Sequence, residues 1–189
     1  MELTGTTKEK IVELGRRYAQ QLGYNSMHYS QIADALMIKR AAIHSYFPGK
    51  EDLGIAIIQK DKSDFLTMRE RFAKSTPTKK IDALLKNYQQ YFADGNKLCV
   101  IGTFGSAYTD IPEKIKAEAA DYLNLIADWL TDVLQEGLDS GEFNFEGSPE
   151  EMANLWIATL PGTLQIGRIK GEVYFKKIQK SLKKGLKTK

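Results

Sequence analysis

Residues 23–53 read GYNSMHYSQIADALMIKRAAIHSYFPGKEDL, and this stretch decides the fold. From Tyr29 to Leu36, apolar residues recur at three- and four-residue steps, which predicts a short helix. A second short helix is predicted over 40–47, because Pro48 and Gly49 stop it there. Residues 37–39 leave room only for a tight turn between the two helices. The geometry that follows is a helix-turn-helix.

Helical periodicity continues on both sides of this stretch. Thr6 with Glu9 predicts a capping box for a first helix that ends at Gly23, and the acidic residues Glu51 and Asp52 open a fourth helix that runs to about residue 74. Further helices are predicted over 77–94, 98–108, 110–138 and 148–170, and after Gly171. The fold class is therefore all-α, and the length of the chain allows a small head and one larger helical body.

Composition excludes several classes of protein and of site. No apolar run approaches the roughly 20 residues that a membrane-spanning helix needs, and the polar stretch MELTGTTKEK lacks an apolar signal core, so we expect a cytoplasmic protein. Cys99 and two histidines leave little material for a zinc site, and Cys99 is expected to be a buried small side chain. We predict no metal, no cofactor and no catalytic constellation.

Charge is distributed unevenly along a chain whose net charge is only +3. Between residues 37 and 50 the charged side chains are Lys39, Arg40 and Lys50, with no acid among them. A short cationic helix can enter the major groove of DNA, where its early residues reach the base edges. The outline alone is only moderately specific, since any compact helical protein contains helix pairs with short turns. The basic stretch 168–189 is interpreted as a solvated helix face, with a second phosphate-binding patch as the alternative.

Several residues of the stretch make the interpretation more specific. They are Gly23, Tyr24, Ile32, Ala33, residues 38–43, Tyr46, Phe47, Pro48, Lys50, Glu51, Asp52 and Leu53. With this spacing the stretch resembles the N-terminal DNA-binding signature of the TetR family of repressors. Residues 129–156, WLTDVLQEGLDSGEFNFEGSPEEMANLW, resemble the family's C-terminal half. The resemblance implies a three-helix head over 1–53 on a regulatory domain over 54–189, which forms a homodimer through its last two long helices.

The resemblance also implies roles for individual residues. Lys39, Arg40 and Ala41 stand where the recognition helix begins and would face the bases, and His44 occupies the position of a phosphate-binding tyrosine. Tyr46 and Lys50 match positions that hold the DNA backbone. The full set of predicted DNA-binding residues is Lys39, Arg40, Ala41, His44, Ser45, Tyr46 and Lys50.

Three positions depart from the family pattern. Met37 replaces a glycine that is usual in the turn, while His28 and Lys39 replace the Ser or Thr that usually caps the second and third helices. These departures leave open a helical sensor or binding protein that no longer binds specific DNA. An enzyme hidden in the body is the other alternative, and the absence of a nucleophile, base and orienting group at suitable spacing argues against it.

The aromatic residues of the body suggest an apolar pocket. The predicted ligand-binding residues are Met68, Phe72, Tyr88, Phe92, Phe104, Tyr108, Trp129 and Trp156. Each can equally be an ordinary core residue, and as a set they gain support from the resemblance. The expected function is that of a ligand-responsive regulator, a repressor that a small apolar or aromatic effector releases from its double-stranded DNA operator.

Overall fold

The computed structural model describes residues 4–187, and these residues form nine α-helices and no strand. The helices are α1 (Thr7–Leu22), α2 (Tyr29–Leu36), α3 (Arg40–Tyr46), α4 (Lys50–Arg71), α5 (Pro77–Ala93), α6 (Val100–Ser106), α7 (Glu113–Asp139), α8 (Pro149–Lys170) and α9 (Glu172–Gly185). The predicted all-α class is confirmed. Residues 1–3 and 188–189, at the ends of the polar amino terminus and of the basic stretch, lie outside the described residues.

Two helix starts follow directly from side-chain caps. The Oγ1 atom of Thr6 accepts the backbone N–H of Glu9 at 3.3 Å, and the Glu9 carboxylate accepts the Thr6 N–H at 2.8 Å. Ser148 and Glu151 make the same reciprocal pair at the start of α8, at 3.1 and 2.8 Å. Each box satisfies two donors that a bare helix end leaves without partners. The capping box predicted at Thr6 and Glu9 is confirmed, and α8 begins with a second one.

α6 and α4 are both shorter than the apolar pattern predicts. α6 covers Val100–Ser106 rather than 98–108, because the N–H groups of Ala107 and Tyr108 bond to carbonyls three residues back instead of four. The end of α4 tightens in the same way at Ala73, so the helix stops at Arg71 rather than near residue 74. Tighter turns of this kind commonly terminate α-helices.

The chain divides into two compact units. The first contains the residues up to Asp64 together with Val100–Tyr122. Its fully buried apolar side chains are Ile11, Met27, Ile32, Ile43, Leu53, Ile57, Phe104 and Ile115. Gly54 of α4 lies so close to α7 that an added Cβ would be 2.7 Å from the Cδ1 atom of Ile115. A larger residue at position 54 would force these helices apart.

The second unit contains Phe65–Cys99 and the residues from Leu123 onward. The rings of Phe92 on α5 and Phe175 on α9 stack at 4.4 Å with an angle of 9° between their planes. Leu164 and Cys99 belong to the same buried cluster, so the prediction that Cys99 is a buried small side chain is confirmed. Within residues 4–187, no helix has the length and apolar character to cross a membrane.

Candidate nucleic-acid interface

The two short helices are held on the first unit by apolar side chains on their inner faces. Ile32 and Ala33 of α2 and Ile43 of α3 are buried. Met37 ends α2 in the left-handed conformation, with φ 55° and ψ 41°. This residue turns the chain so that α3 begins three residues later at Arg40. The turn predicted over 37–39 is the turn that the structure contains.

Tyr29 forms hydrogen bonds to the backbone that follows α3. Its hydroxyl lies 2.9 Å from the carbonyl oxygen of Phe47 and 2.6 Å from that of Gly49, and it can donate to either. Its ring lies 4.9 Å from that of His44. Burial raises the pKa of Tyr29 to about 12, with a smaller contribution from the Asp52 carboxylate. Tyr29 therefore stays neutral and keeps its hydroxyl hydrogen at physiological pH.

The outer face of α3 carries most of the predicted DNA-binding residues. Lys39, Arg40, Ala41, His44, Ser45 and Tyr46 are all exposed on this segment. Neither Lys39 nor Arg40 forms an ion pair with any residue between 4 and 187. The structure thus brings these six residues together on one surface, and its two cations are open to an anionic partner.

Two of the polar groups on this surface also bond within it. The Ser45 hydroxyl donates to the carbonyl oxygen of Ala42 at 2.7 Å, which leaves its oxygen free to accept. His44 Nδ1 lies 3.3 Å from the carbonyl oxygen of Pro48. If this nitrogen carries the hydrogen, the bond fixes the ring orientation and directs Nε2 away from the protein backbone.

Lys50, the seventh predicted residue, differs from the other six because it is half-buried. Its Nζ donates to the carbonyl oxygen of Asn25 at 2.9 Å and lies 4.7 Å from the centre of the Tyr24 ring. The Tyr24 hydroxyl in turn donates to the Lys50 carbonyl at 3.2 Å. Burial lowers the pKa of the Lys50 ammonium. An ammonium has three N–H donors, so this arrangement leaves two for another acceptor.

A contact that the sequence did not suggest extends this arrangement. The Asn25 side-chain amide donates to the Asp110 carboxylate at 2.8 Å, which ties the α1–α2 loop to the loop before α7. Asn25 thereby bonds to Lys50 through its carbonyl and to Asp110 through its side chain. Nothing in the spacing of polar residues separates these two from ordinary loop residues.

The first unit also contains a second polar cluster that the sequence does not indicate. The Arg16 guanidinium contacts the carboxylates of Glu13, Asp61 and Asp64 at 2.7, 3.3 and 2.8 Å. The buried Asp61 carboxylate also accepts the Tyr122 hydroxyl at 3.1 Å. The cluster joins α1, α4 and α7 inside the unit that carries α3. Its members lie on three separate helices, so no local sequence pattern points to it.

The predicted ligand-binding residues lie in both units. Phe104, which is buried, and Tyr108, which is 59% exposed, belong to the first unit. The other six belong to the second, where Trp156 is fully buried and Trp129 packs edge-on against Phe65. The second unit also has a groove of about 600 Å³, and of the eight predicted residues Phe92 is the one among its lining. The groove is otherwise rimmed by polar residues such as Gln89, Arg168 and Lys176.

Two of the three departures from the family pattern, His28 and Lys39, lie at the starts of α2 and α3. A neighbouring side chain compensates for the first and none compensates for the second. The N–H of His28 donates to the side-chain oxygen of Gln31 at 2.8 Å, so Gln31 satisfies one donor at the start of α2. Lys39 precedes α3 in an extended conformation and provides no side-chain cap. The first N–H groups of α3 are therefore left without a side-chain acceptor at the N-cap position.

The family model for "Bacterial regulatory proteins, tetR family" matches residues 11–57. This range contains α2, the turn, α3 and the start of α4. Among curated proteins, the HTH-type transcriptional repressor NemR of Escherichia coli is 21% identical over 160 residues, which cover 80% of this chain and 79% of that protein. The transcriptional regulator AcuR of Cereibacter sphaeroides is 19% identical over 155 residues, or 79% of this chain and 71% of that protein.

Solved structures extend the similarity to the whole chain. A TetR-family transcriptional regulator from Agrobacterium tumefaciens is 25% identical with a TM-score of 0.89, covering 96% of this chain and 97% of that one. A TetR transcriptional regulator from Legionella pneumophila is 26% identical with a TM-score of 0.85, covering 99% and 100%. Members of this family are DNA-binding regulators, which confirms the prediction that the chain is not an enzyme. In its N-terminal helices and in its fold, the chain is similar to the TetR family of bacterial transcriptional regulators.

Proposed function

We propose that this regulator is a ligand-responsive repressor that binds a pseudo-palindromic operator as a homodimer in the cytoplasm. The observation that carries the proposal is the exposed surface of α3, where Lys39 and Arg40 are open to an anionic partner. Residues 1–53 are proposed as the DNA-binding domain and residues 54–189 as the domain that binds the effector and dimerises. The proposal that the protein represses rather than activates transcription rests on its similarity to the transcriptional repressor NemR.

Within the head, the proposed contacts divide by what they recognise. Lys39, Arg40 and Ala41, at the start of α3, face base edges in the major groove. His44, Ser45, Tyr46 and Lys50 contact phosphates and fix the position of α3. Lys50 can bind a phosphate without losing its bond to the Asn25 carbonyl, because the ammonium has further donors. Lys50 also lies in the first turn of α4, where the helix dipole favours an anion.

The homodimer is proposed to form through α8 and α9. Leu155, Ile166 and Ile169 on α8 and Val173 on α9 are exposed apolar side chains, with Ile169 at 83% and Val173 at 84%. A pairing that buries such side chains removes them from water and favours association. Two recognition helices held about 34 Å apart would enter successive major grooves on one side of the duplex.

The effector is proposed to be a small apolar or aromatic molecule bound by residues of the body. Its proposed contacts are Met68, Phe72, Tyr88, Phe92, Phe104, Tyr108, Trp129 and Trp156. The effector lowers DNA affinity only if it binds the non-operator conformation more tightly than the operator-bound one. α4 is one continuous helix from Lys50 to Arg71, so a shift along it moves the Lys50 end.

The experiment that tests this function is a selection of bound fragments from random duplex DNA. The purified protein is used at two salt concentrations, because electrostatic binding weakens with salt while an enriched sequence persists. An enriched pseudo-palindrome, bound by two chains, is the expected result. Weak, salt-sensitive binding with no enriched sequence would contradict the proposal and favour the alternative of a helical sensor without specific DNA binding.

The selected operator then becomes the probe for the effector. A library of small apolar and aromatic compounds is screened for release of the labelled operator at constant salt. Release that saturates with concentration, and that a matched compound without the aromatic ring does not cause, is expected. Compounds that bind the protein without changing its operator affinity would contradict the proposed coupling between effector and DNA.

A further inference from the structure

Met37 occupies a backbone conformation that this chain otherwise gives to glycine or asparagine. Positive φ angles in the described residues occur at six glycines, at Asn96 and at Met37. Asparagine tolerates the left-handed region because its short polar side chain bonds locally, whereas an unbranched apolar side chain gains nothing there. Met37 is thus the position where the residue type and the backbone conformation disagree.

The hydrogen bonds of the turn do not require a methionine. The N–H of Met37 donates to the carbonyls of Ala33 and Asp34, and the N–H of Ile38 donates to Ala33 at 3.0 Å. These are backbone contacts that a glycine would make equally well, and glycine is the usual residue at this point after a helix. The backbone therefore accounts for the left-handed turn and leaves the side chain unexplained.

The Met37 side chain is also placed in water. It is 93% exposed, the largest exposed fraction among the exposed large hydrophobic residues of the described chain. An isolated exposed apolar side chain is common on protein surfaces, but here exposure coincides with an unfavourable backbone angle. A glycine would remove both costs. The presence of a methionine side chain at this position therefore indicates that it contacts a partner outside the folded chain.

The surroundings of Met37 indicate which partner that is. Lys39 and Arg40 follow within three residues, both exposed, and no acidic residue occurs between positions 37 and 50. A protein partner has both charge signs on its surface, whereas DNA is uniformly anionic and matches this cationic segment. The major groove has one apolar group, the 5-methyl of thymine, and it lies at the edge that an apolar side chain can reach.

We propose that Met37 is a specificity-determining residue whose side chain contacts a thymine 5-methyl group in each operator half-site. This inference rests on the proposed function, because it needs the operator that the selection experiment supplies. Met37 acts beside Lys39 and Arg40, which approach the neighbouring bases from the start of α3. The gain in DNA contact explains why the turn contains a residue that the free protein would be more stable without.

The test compares Met37→Gly with the parent protein on operators in which single thymines are replaced by uracil, which lacks the methyl group. The parent is expected to lose roughly fivefold in affinity at one thymine per half-site. Met37→Gly is expected to bind the normal operator about fivefold more weakly and to show no further loss on that uracil operator. Its melting temperature is expected to rise by about 2 to 4 °C.

Two variants control the comparison. Met37→Leu keeps an apolar side chain and should retain both the affinity and the sensitivity to uracil. Asn96→Gly relieves the other non-glycine positive φ angle, outside the first unit, and should leave operator affinity unchanged. Full affinity of Met37→Gly for the normal operator would overturn the proposal. An equal loss on every uracil operator would overturn the thymine contact, while failure of the parent to select any operator would instead refute the proposed function.

Discussion

Single side chains set the geometry of the proposed DNA-binding surface, and Tyr29 is an example. Its hydroxyl reaches the carbonyls of Phe47 and Gly49, so one side chain at the start of α2 holds the chain that leaves α3. The same burial that positions the hydroxyl disfavours the phenolate. Stability at high pH and the position of α3 therefore depend on the same residue.

Tyr29→Phe tests that dependence. The variant keeps the ring and loses the hydroxyl, so we expect a loss of about 1 kcal/mol in the free energy of unfolding at pH 7. In the parent, the pKa of Tyr29 is raised to about 12, so the unfolded chain ionises first and stability falls as the pH rises from 10 towards 12. The variant should show a shallower fall in urea titrations followed by circular dichroism. If the variant lost stability between pH 10 and pH 12 as steeply as the parent, Tyr29 would not be the cause of that loss.

Lys39 and Arg40 are exposed, and we propose that they contact DNA rather than other residues of the chain. Replacing both with alanine should weaken operator binding by roughly a hundredfold, since each contact contributes about 1–3 kcal/mol. Stability should change little because neither residue pairs with any described residue. Fluorescence anisotropy with the selected operator measures the loss. The matched control, Lys79→Ala with Lys86→Ala, removes the same charge from exposed positions on α5 and should bind far better.

At the scale of helices, end signals in the sequence decide where each element begins. Ser148 and Glu151 cap α8, and Pro149 occupies its first turn, where a missing N–H does no harm. Ser148→Ala is expected to lower the free energy of unfolding by about 1 kcal/mol and the melting temperature by about 2–4 °C. Ser148→Asp keeps an acceptor and should melt near the parent temperature. Equal losses for both variants would show that the cap is not the cause.

The helices could be predicted from the sequence because capping and apolar periodicity are local patterns. The candidate site could be predicted only where its residues are close together in the sequence. The turn at Met37 and the exposed set on α3 lie within ten residues, so spacing alone brings them together. Asn25 and Asp110 are 85 residues apart, and Asp61 and Tyr122 are 61 apart, so packing alone makes them neighbours. The aromatic residues of the body show the same limit, since apolar periodicity is identical for a core residue and for a pocket wall.

For the whole molecule, the proposed function depends on two copies acting together. Ile169→Glu with Val173→Glu places charges on the exposed apolar positions of α8 and α9. We expect light scattering to show a monomer, because pairing would have to bury the carboxylates. Operator affinity should fall steeply, since a monomer reads one half-site. Leu22→Glu, at an exposed apolar position that ends α1, is the control and should remain dimeric.

The location of the two tryptophans has a practical consequence for spectroscopy. Trp129 and Trp156 are the only tryptophans of the chain, and both belong to the second unit. Intrinsic emission excited at long wavelength therefore reports on that unit and is silent about α2 and α3. A titration with a candidate effector can be followed label-free through these two indoles, while a dye on the operator reports whether DNA is released. The order in which the two signals change would distinguish an effector that binds the DNA-bound dimer from one that captures the free protein.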